Sequence, residues 1–228
     1  MLRPGDRGAP VRDAVMAGHR GDLATATELA RHADPAVRAA ALGALCRLGA
    51  LDAPALAAAV ADDDPSVRRR ACLLAGRLLA AAADDDTGED DTGDDDHERA
   101  AATDLVVLLT RTLGTDDDPS VVEVAAWALG EAGPRCGPDA VRALEQVART
   151  SPDALCREAA VAALGAVGDA GALDTVLGAL DDKPAVRRRA AVALAAFDDP
   201  RVDDALRRCL DDRDWQVRQA AEDLLGRP

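Results

Sequence analysis

Three histidines, five cysteines, one dense run of carboxylates and two short arginine clusters are the residues of this chain with the chemistry to hold a metal or a phosphate. His19, His32 and His97 lie far apart, whereas a metal site needs several convergent His and carboxylate ligands. Cys46, Cys72, Cys136, Cys156 and Cys209 show no paired short spacing, which favours reduced thiols over zinc or disulfides. The run from Asp84 to Glu98 holds ten acidic residues and no Lys or Arg. Oxygen-rich loops bind calcium, but neither Gly88 nor Gly93 follows the Asp-x-Asp-x-Asp order of an EF-hand loop. Like charges at this density repel and stay hydrated, so residues 83–97 are expected to form a disordered loop. Arg68-Arg69-Arg70 and Arg187-Arg188-Arg189 sit among acidic neighbours in a chain of net charge −15, so nucleic acid is not an expected partner. With no nucleophile–base pair and no phosphate-cradling glycine loop, no catalytic, cofactor-binding or metal-binding residue is assigned.

The elements that carry these residues follow from one stretch written six times. Its cleanest copy runs Asp34-Pro35-Ala36-Val37-Arg38-Ala39-Ala40-Ala41-Leu42. Taking the valine as position zero, the copies align at Val37, Val67, Val121, Cys156, Val186 and Val217. Position +4 is Ala41, Ala71, Ala125, Ala160, Ala190 and Ala221; position +8 is Leu45, Ala75, Leu129, Leu164, Leu194 and Leu225. Matches at 0, 4 and 8 describe one apolar stripe on a helix. An alanine at +4 in every copy lets helix backbones approach near the short end of the usual ~8–10 Å.

The steps between copies are 30, 54, 35, 30 and 31 residues, and a second apolar helical stretch lies between them. A period near 30 with a helix–turn–helix unit is the pattern of a stacked solenoid, in which each hairpin supplies the wall its neighbour lacks. The expected fold is all-α: a right-handed α-α superhelix of about six hairpins of the armadillo type, spanning residues 10–228 after a flexible tail at 1–9. Composition agrees. Hydrophobic residues make up 48% but aromatics only 1%, so Ala, Leu and Val must build the core, which suits close-packed helices. Met1 to Pro10 lacks the apolar core of a signal peptide, and no apolar run is long enough to span a membrane. A soluble, cytoplasmic monomer follows as the expectation, with no membrane partner. Outside the acidic run the chain carries only −5 of its −15. Asp34, Asp64, Asp118 and Asp214 stand where helix N-caps are needed, three of them followed by proline at the first helical position.

The Asp-Pro-x-Val-Arg-x-x-Ala-x-x-Ala-Leu-Gly pattern resembles HEAT repeats, specifically the short bacterial kind named after phycobilisome lyases, over roughly residues 22–227. The resemblance implies a structural ladder between layers made by the aspartates Asp34, Asp64, Asp118 and Asp214 and the arginines after the valine: Arg38, Arg68, Arg157, Arg187 and Arg218. The third copy has Val122 in the arginine's place, so the ladder should break there. Deoxyhypusine hydroxylase, which is built from related repeats, holds two irons with His-Glu pairs at +2 and +3. Here those positions read Ala39-Ala40, Arg69-Arg70, Glu123-Val124, Glu158-Ala159, Arg188-Arg189 and Gln219-Ala220, and none is His-Glu. A bilin-lyase-like or other ligand-binding role is the alternative that the resemblance leaves open; it needs a tetrapyrrole groove, for which the chain offers few aromatics.

The leading expectation is a non-catalytic scaffold that binds a protein partner through its concave face. In HEAT stacks the second helices line that face, and positions +2, +3 and +6 fall away from the core stripe. Arg69, Arg70, Glu123, Trp127, Glu158, Arg188 and Arg189 occupy such positions. Trp127, with Glu123 one turn before it and Glu131 one turn after, either anchors a partner or fills a gap between units. Trp215, at a helix start, is expected to pack locally.

Overall fold

The computed structural model describes residues 8–85 and 95–226. Residues 1–7 of the tail expected at 1–9, and the central part of the acidic run, 86–94, lie outside the described residues, whereas Gly8 and Ala9 belong to the first helix. The described chain is α-helical: α1 (Gly8–Arg20), α2 (Leu23–Leu29), α3 (Pro35–Arg47), α4 (Ala53–Val60), α5 (Pro65–Asp85), α6 (Asp95–Thr115), α7 (Pro119–Glu131), α8 (Gly137–Thr150), α9 (Ala154–Val167), α10 (Leu173–Gly178), α11 (Pro184–Ala193), α12 (Pro200–Cys209) and α13 (Trp215–Leu224). Helices α2 to α13 form six hairpins. The second helices α3, α5, α7, α9, α11 and α13 pack successively into one layer, and first helices such as α4, α6 and α8 pack against one another on the other side. Helix α1 packs on α3, adding one unpaired rung to the second-helix layer.

The repeated stripe is the seam of this stack. Val37, Val67, Val121, Cys156, Val186 and Val217 are buried, as is the alanine at +4 in every copy. Asp34, Asp118, Asp153 and Asp214 cap the second helices by accepting a hydrogen bond from the amide two residues on. Asp64 accepts one from the Ser66 amide in the same way. Each such cap contributes about 1 kcal/mol.

Two glycines lie within helices rather than ending them. Gly130 and Gly165 lie inside α7 and α9, where a Cβ would stand 3.1 Å from Ala163 Cα and 2.9 Å from Ala193 Cα respectively. They are there because the next helix of the layer crosses too closely for a side chain. Gly168, by contrast, ends α9 in the left-handed region, as expected of a helix-terminal glycine.

The long 54-residue step is not only loop. Helices α5 and α6 are 21 residues each and run into the acidic stretch from both sides, so residues 83–85 and 95–97 are helical. Alanine-rich sequence from Ala80 to Ala83 favours continuation of α5. Arg135 also braces it, donating to the carbonyls of Ala82 at 2.9 Å and Leu79 at 3.3 Å. No helix among the described residues is long and apolar enough to cross a membrane.

Candidate interaction face

The arginine after each valine ties one unit to the next. Arg38 donates through Nε and Nη2 to Asp62 at 2.8 and 2.6 Å. Arg68 meets Asp116 at 2.7 and 2.9 Å, Arg157 meets Asp182 at 2.6 Å twice, and Arg187 meets Asp212 at 2.8 and 2.7 Å. These are two-pronged guanidinium–carboxylate pairs, the strongest geometry available to such groups. The remaining nitrogen, Nη1, donates to carbonyls at the turn of the arginine's own hairpin, such as His32 for Arg38 and Ser151 for Arg157.

The acid in each pair is therefore not the one that the resemblance implies. Asp34, Asp64, Asp118 and Asp214 serve as caps, and the rung is made by an aspartate one or two residues earlier. A cap carboxylate is turned toward its own helix amides, so it cannot also face the preceding unit. The rung aspartate has room for both tasks: Asp62, Asp116 and Asp212 each accept the amide two residues on while holding the arginine. Guanidinium contact holds the carboxyls of Asp62, Asp182 and Asp212 below the usual carboxylate range. At Asp116 burial pushes upward, but Arg68 and the Asp118 amide outweigh it and the net direction is again down.

Where the arginine is missing, so is its acid. Val122 stands at the third rung, and the corresponding position of the next unit is Ser151, whose Oγ accepts only the Asp153 amide at 3.3 Å. The Cys156 thiol, in the valine position, donates to the Pro119 carbonyl at 3.2 Å across this junction. At the last rung Arg218 reaches the Asp212 carbonyl at 2.7 Å.

The second-helix layer also carries a groove of about 540 Å³ between α7 and α9. Its apolar wall includes Leu73, Val124, Trp127, Leu155 and Ala162, and its charged rim is Glu123, Glu131, Glu158 and Arg189. Four of the seven residues expected on this face, Glu123, Trp127, Glu158 and Arg189, are thus brought together. Trp127 packs between units and stays partly open on the groove side. Its ring lies over α5, where a Cβ on Gly76 would stand 2.6 Å from Cζ3, yet the side chain stays 37% exposed. Glu158 receives Arg189 at 3.5 Å and Arg188 at 3.7 Å, an ion bridge from α9 to α11 that closes one end of the groove. Among the described residues Glu123 and Glu131 have no ion-pair partner.

Arg188 also lines a second hollow of about 370 Å³ between α11 and α13, with Val192, Trp215, Gln216 and Leu224. Trp215 does not pack locally as expected; it is 64% exposed, and among the described residues no helix covers it from beyond α13. Arg69 and Arg70 stand apart from both hollows, on α5. Arg69 is exposed, whereas Arg70 is half-buried with its guanidinium over Gly43 of α3. Sequence reasoning missed Leu155, 58% exposed in the groove. A signal existed: the other copies carry Ala36, Ser66, Ser120, Ala185 and Gln216 at that position, one residue before position zero. Among the described residues no group of three His, Cys, Asp or Glu is placed to hold a metal.

A stack of helical hairpins joined by inter-unit arginine–aspartate rungs defines an all-α, armadillo-type solenoid. Family models for HEAT repeats match residues 93–165 and 146–226, more than half of the chain, and the chain belongs to the HEAT-repeat family. Among solved structures it is similar to Escherichia coli YibA, at 16% identity over 99% of this chain and 76% of that one, with a TM-score of 0.65. An engineered protein matches at 22% identity over 90% of this chain and 95% of that one, with a TM-score of 0.56. A designed armadillo repeat protein in complex with the peptide (KR)4 matches at 16% identity over 96% and 97%, also with a TM-score of 0.56. At these identities the likeness concerns the fold. A comparison with curated proteins finds no match.

Proposed function

We propose that this protein is a non-catalytic adaptor whose second-helix face, the concave face of a HEAT stack, holds a segment of a partner protein in the α7–α9 groove. The observation that carries this reading is the combination of an exposed indole and an exposed leucine with two unpaired glutamates at the same groove. Isolated exposed apolar residues are ordinary, but Trp127 and Leu155 share one hollow, and clustered aromatic and aliphatic anchors are what binding faces use. Glu123 and Glu131 favour a cationic neighbour, so the fitting segment carries a bulky apolar side chain flanked by Lys or Arg. The designed armadillo protein, which is in complex with the alternating Lys-Arg peptide (KR)4, supports the reading at the level of fold.

Selection of a random peptide library on the immobilised chain tests this. Enrichment of apolar-basic peptides is expected, with affinity falling at least about tenfold for Trp127→Ala and helix content unchanged. Arg188→Glu frees Glu158 from one ion pair and adds an acid beside the groove, so affinity for the basic peptides is expected to rise. Peptides that bind the Trp127→Ala variant as well as the original chain would remove the groove from the proposal.

A further inference from the structure

The hollow between α11 and α13 is the repeat equivalent of the α7–α9 groove. The groove is walled by positions +2 and +6 of α7 (Glu123, Trp127) and by −1, +2, +3 and +6 of α9 (Leu155, Glu158, Ala159, Ala162). The hollow takes the same positions two units on: Arg188 and Val192 of α11, then Gln216, Gln219, Ala220 and Asp223 of α13. Both therefore open on one face of the layer in which α7, α9, α11 and α13 pack successively. Each presents exposed apolar side chains, Trp127 and Leu155 in the groove and Val192, Trp215 and Leu224 in the hollow. The charge at +2 of the first wall is inverted: Glu123 in the groove, Arg188 in the hollow. Between them, Arg188 and Arg189 approach the same oxygen of Glu158, Oε1, at 3.7 and 3.5 Å. Two guanidiniums thus share one carboxylate at long distance, and Nε of Arg189 is buried without a hydrogen-bond partner. Asp223, across the hollow, accepts from the Gln219 amide at 2.8 Å and makes no ion pair with Arg188.

A segment leaving the groove across α9 meets an excess of positive charge and then a second apolar hollow. We infer that the partner segment continues from the groove over the Glu158 bridge into the α11–α13 hollow. There it places an Asp or Glu against Arg188 and a second bulky apolar side chain against Val192 and Trp215. This inference rests on the groove reading and adds to it a second anchor of opposite charge. Packed helix axes stand ~8–10 Å apart, so the two hollows, two steps apart in the layer, are separated by about 16–20 Å. An extended chain rising about 3.3 Å per residue covers that distance in about five or six residues. A carboxylate matches the guanidinium fork, and Arg188, held only by a long contact, has its fork free to meet one. With both elements on one segment, the second contact forms at high effective concentration. The opposite charges also fix direction, with the basic element at α7 and the acidic element at α11.

The test is selection of displayed random peptides of about 16 residues, long enough to span both hollows, on the full chain. Calorimetry then compares the enriched peptides with their truncated basic halves. Enriched peptides are expected to hold a basic–apolar and an acidic–apolar element about five or six residues apart. Trp215→Ala, at an exposed position, should weaken the whole peptides at least about tenfold and leave the basic halves unchanged. Arg188→Glu should give opposite signs, weakening the whole peptides about tenfold while the basic halves bind more tightly. Trp127→Ala should weaken both, with helix content unchanged in all three variants. Peptides that respond to Trp127→Ala but to neither Trp215→Ala nor Arg188→Glu overturn the extension and leave the groove standing. Peptides that respond to Trp215→Ala alone overturn the groove and with it the continuous segment. No enrichment of any peptide overturns both.

Discussion

Arg68 and Asp116 are 48 residues apart in sequence, yet they pair with Nε–Oδ2 at 2.7 Å, in the same two-pronged geometry as Arg38 and Asp62, 24 residues apart. The long insertion between α5 and α6 has therefore been absorbed without altering the junction it interrupts. The junction is defined by register along the helices, not by the length of chain between them.

This pair should be worth more than a surface ion pair, because Asp116 is largely covered and satisfies both a guanidinium and a backbone amide. Asp116→Asn is expected to lower stability by about 1.5–3 kcal/mol in urea unfolding. The double change Arg68→Val with Asp116→Ser copies the natural Val122 and Ser151 junction and should recover part of that loss. A double variant less stable than either single one would contradict the idea that the two positions form one unit.

Acid should loosen the rungs. Asp62, Asp116, Asp182 and Asp212 all titrate below their ordinary range in the folded chain. A carboxyl depressed by folding contributes stability that is complete above its unfolded value, about 3.9, and is lost as pH falls through the folded value. The urea midpoint should hold between about pH 5 and pH 7 and drop below about pH 4. Asp116→Asn should shrink that drop; an unchanged pH profile in the variant would sink the assignment.

Gly76 sets two effects against each other. Alanine favours a helix over glycine by about 0.5–1 kcal/mol. Here its Cβ would stand 2.6 Å from Trp127 Cζ3 and 2.9 Å from Ala128 Cα, and overpacking typically costs about 1–3 kcal/mol. The clash is with backbone as well as ring, so it should win. Gly76→Ala in a Trp215→Phe background is expected to destabilise the chain and shift Trp127 emission to the red. Higher stability with unshifted emission would show that the ring moves freely.

The cysteines should differ sharply in reactivity. Burial pushes the Cys72 thiol up to about 12 and the Cys136 thiol up to about 11, whereas Cys46 is only half-buried. Thiolate is the reactive form. With a disulfide reagent near pH 8, Cys46 should label promptly and Cys72 and Cys136 only after denaturant is added. Mass spectrometry of labelled peptides reads this directly.

Much of this architecture was legible in the residues. Small or aliphatic residues recurring at positions 0, +4 and +8 marked one helical stripe, and Val122 in the arginine's place marked the broken junction. The acid of each rung was not legible, because two aspartates precede most second helices and only three dimensions reveal which of them is occupied by its own helix. The helical ends of α5 and α6 were masked by their acidic composition, which reads as loop whether or not neighbouring helices hold it. At the face, Trp127 stood out by size, but Leu155 passed as one more leucine in a leucine-rich chain.

The missing rung between α7 and α9 divides the molecule by what its joints respond to. The other rungs among the described residues are electrostatic and are tuned by pH and ionic strength. The Val122–Ser151 junction rests on close packing, with Gly130 against Ala163, and is indifferent to both. Acid or salt that slackens the rungs on either side therefore acts least on the contact between α7 and α9 itself, so these two helices should part from their neighbours before they part from each other.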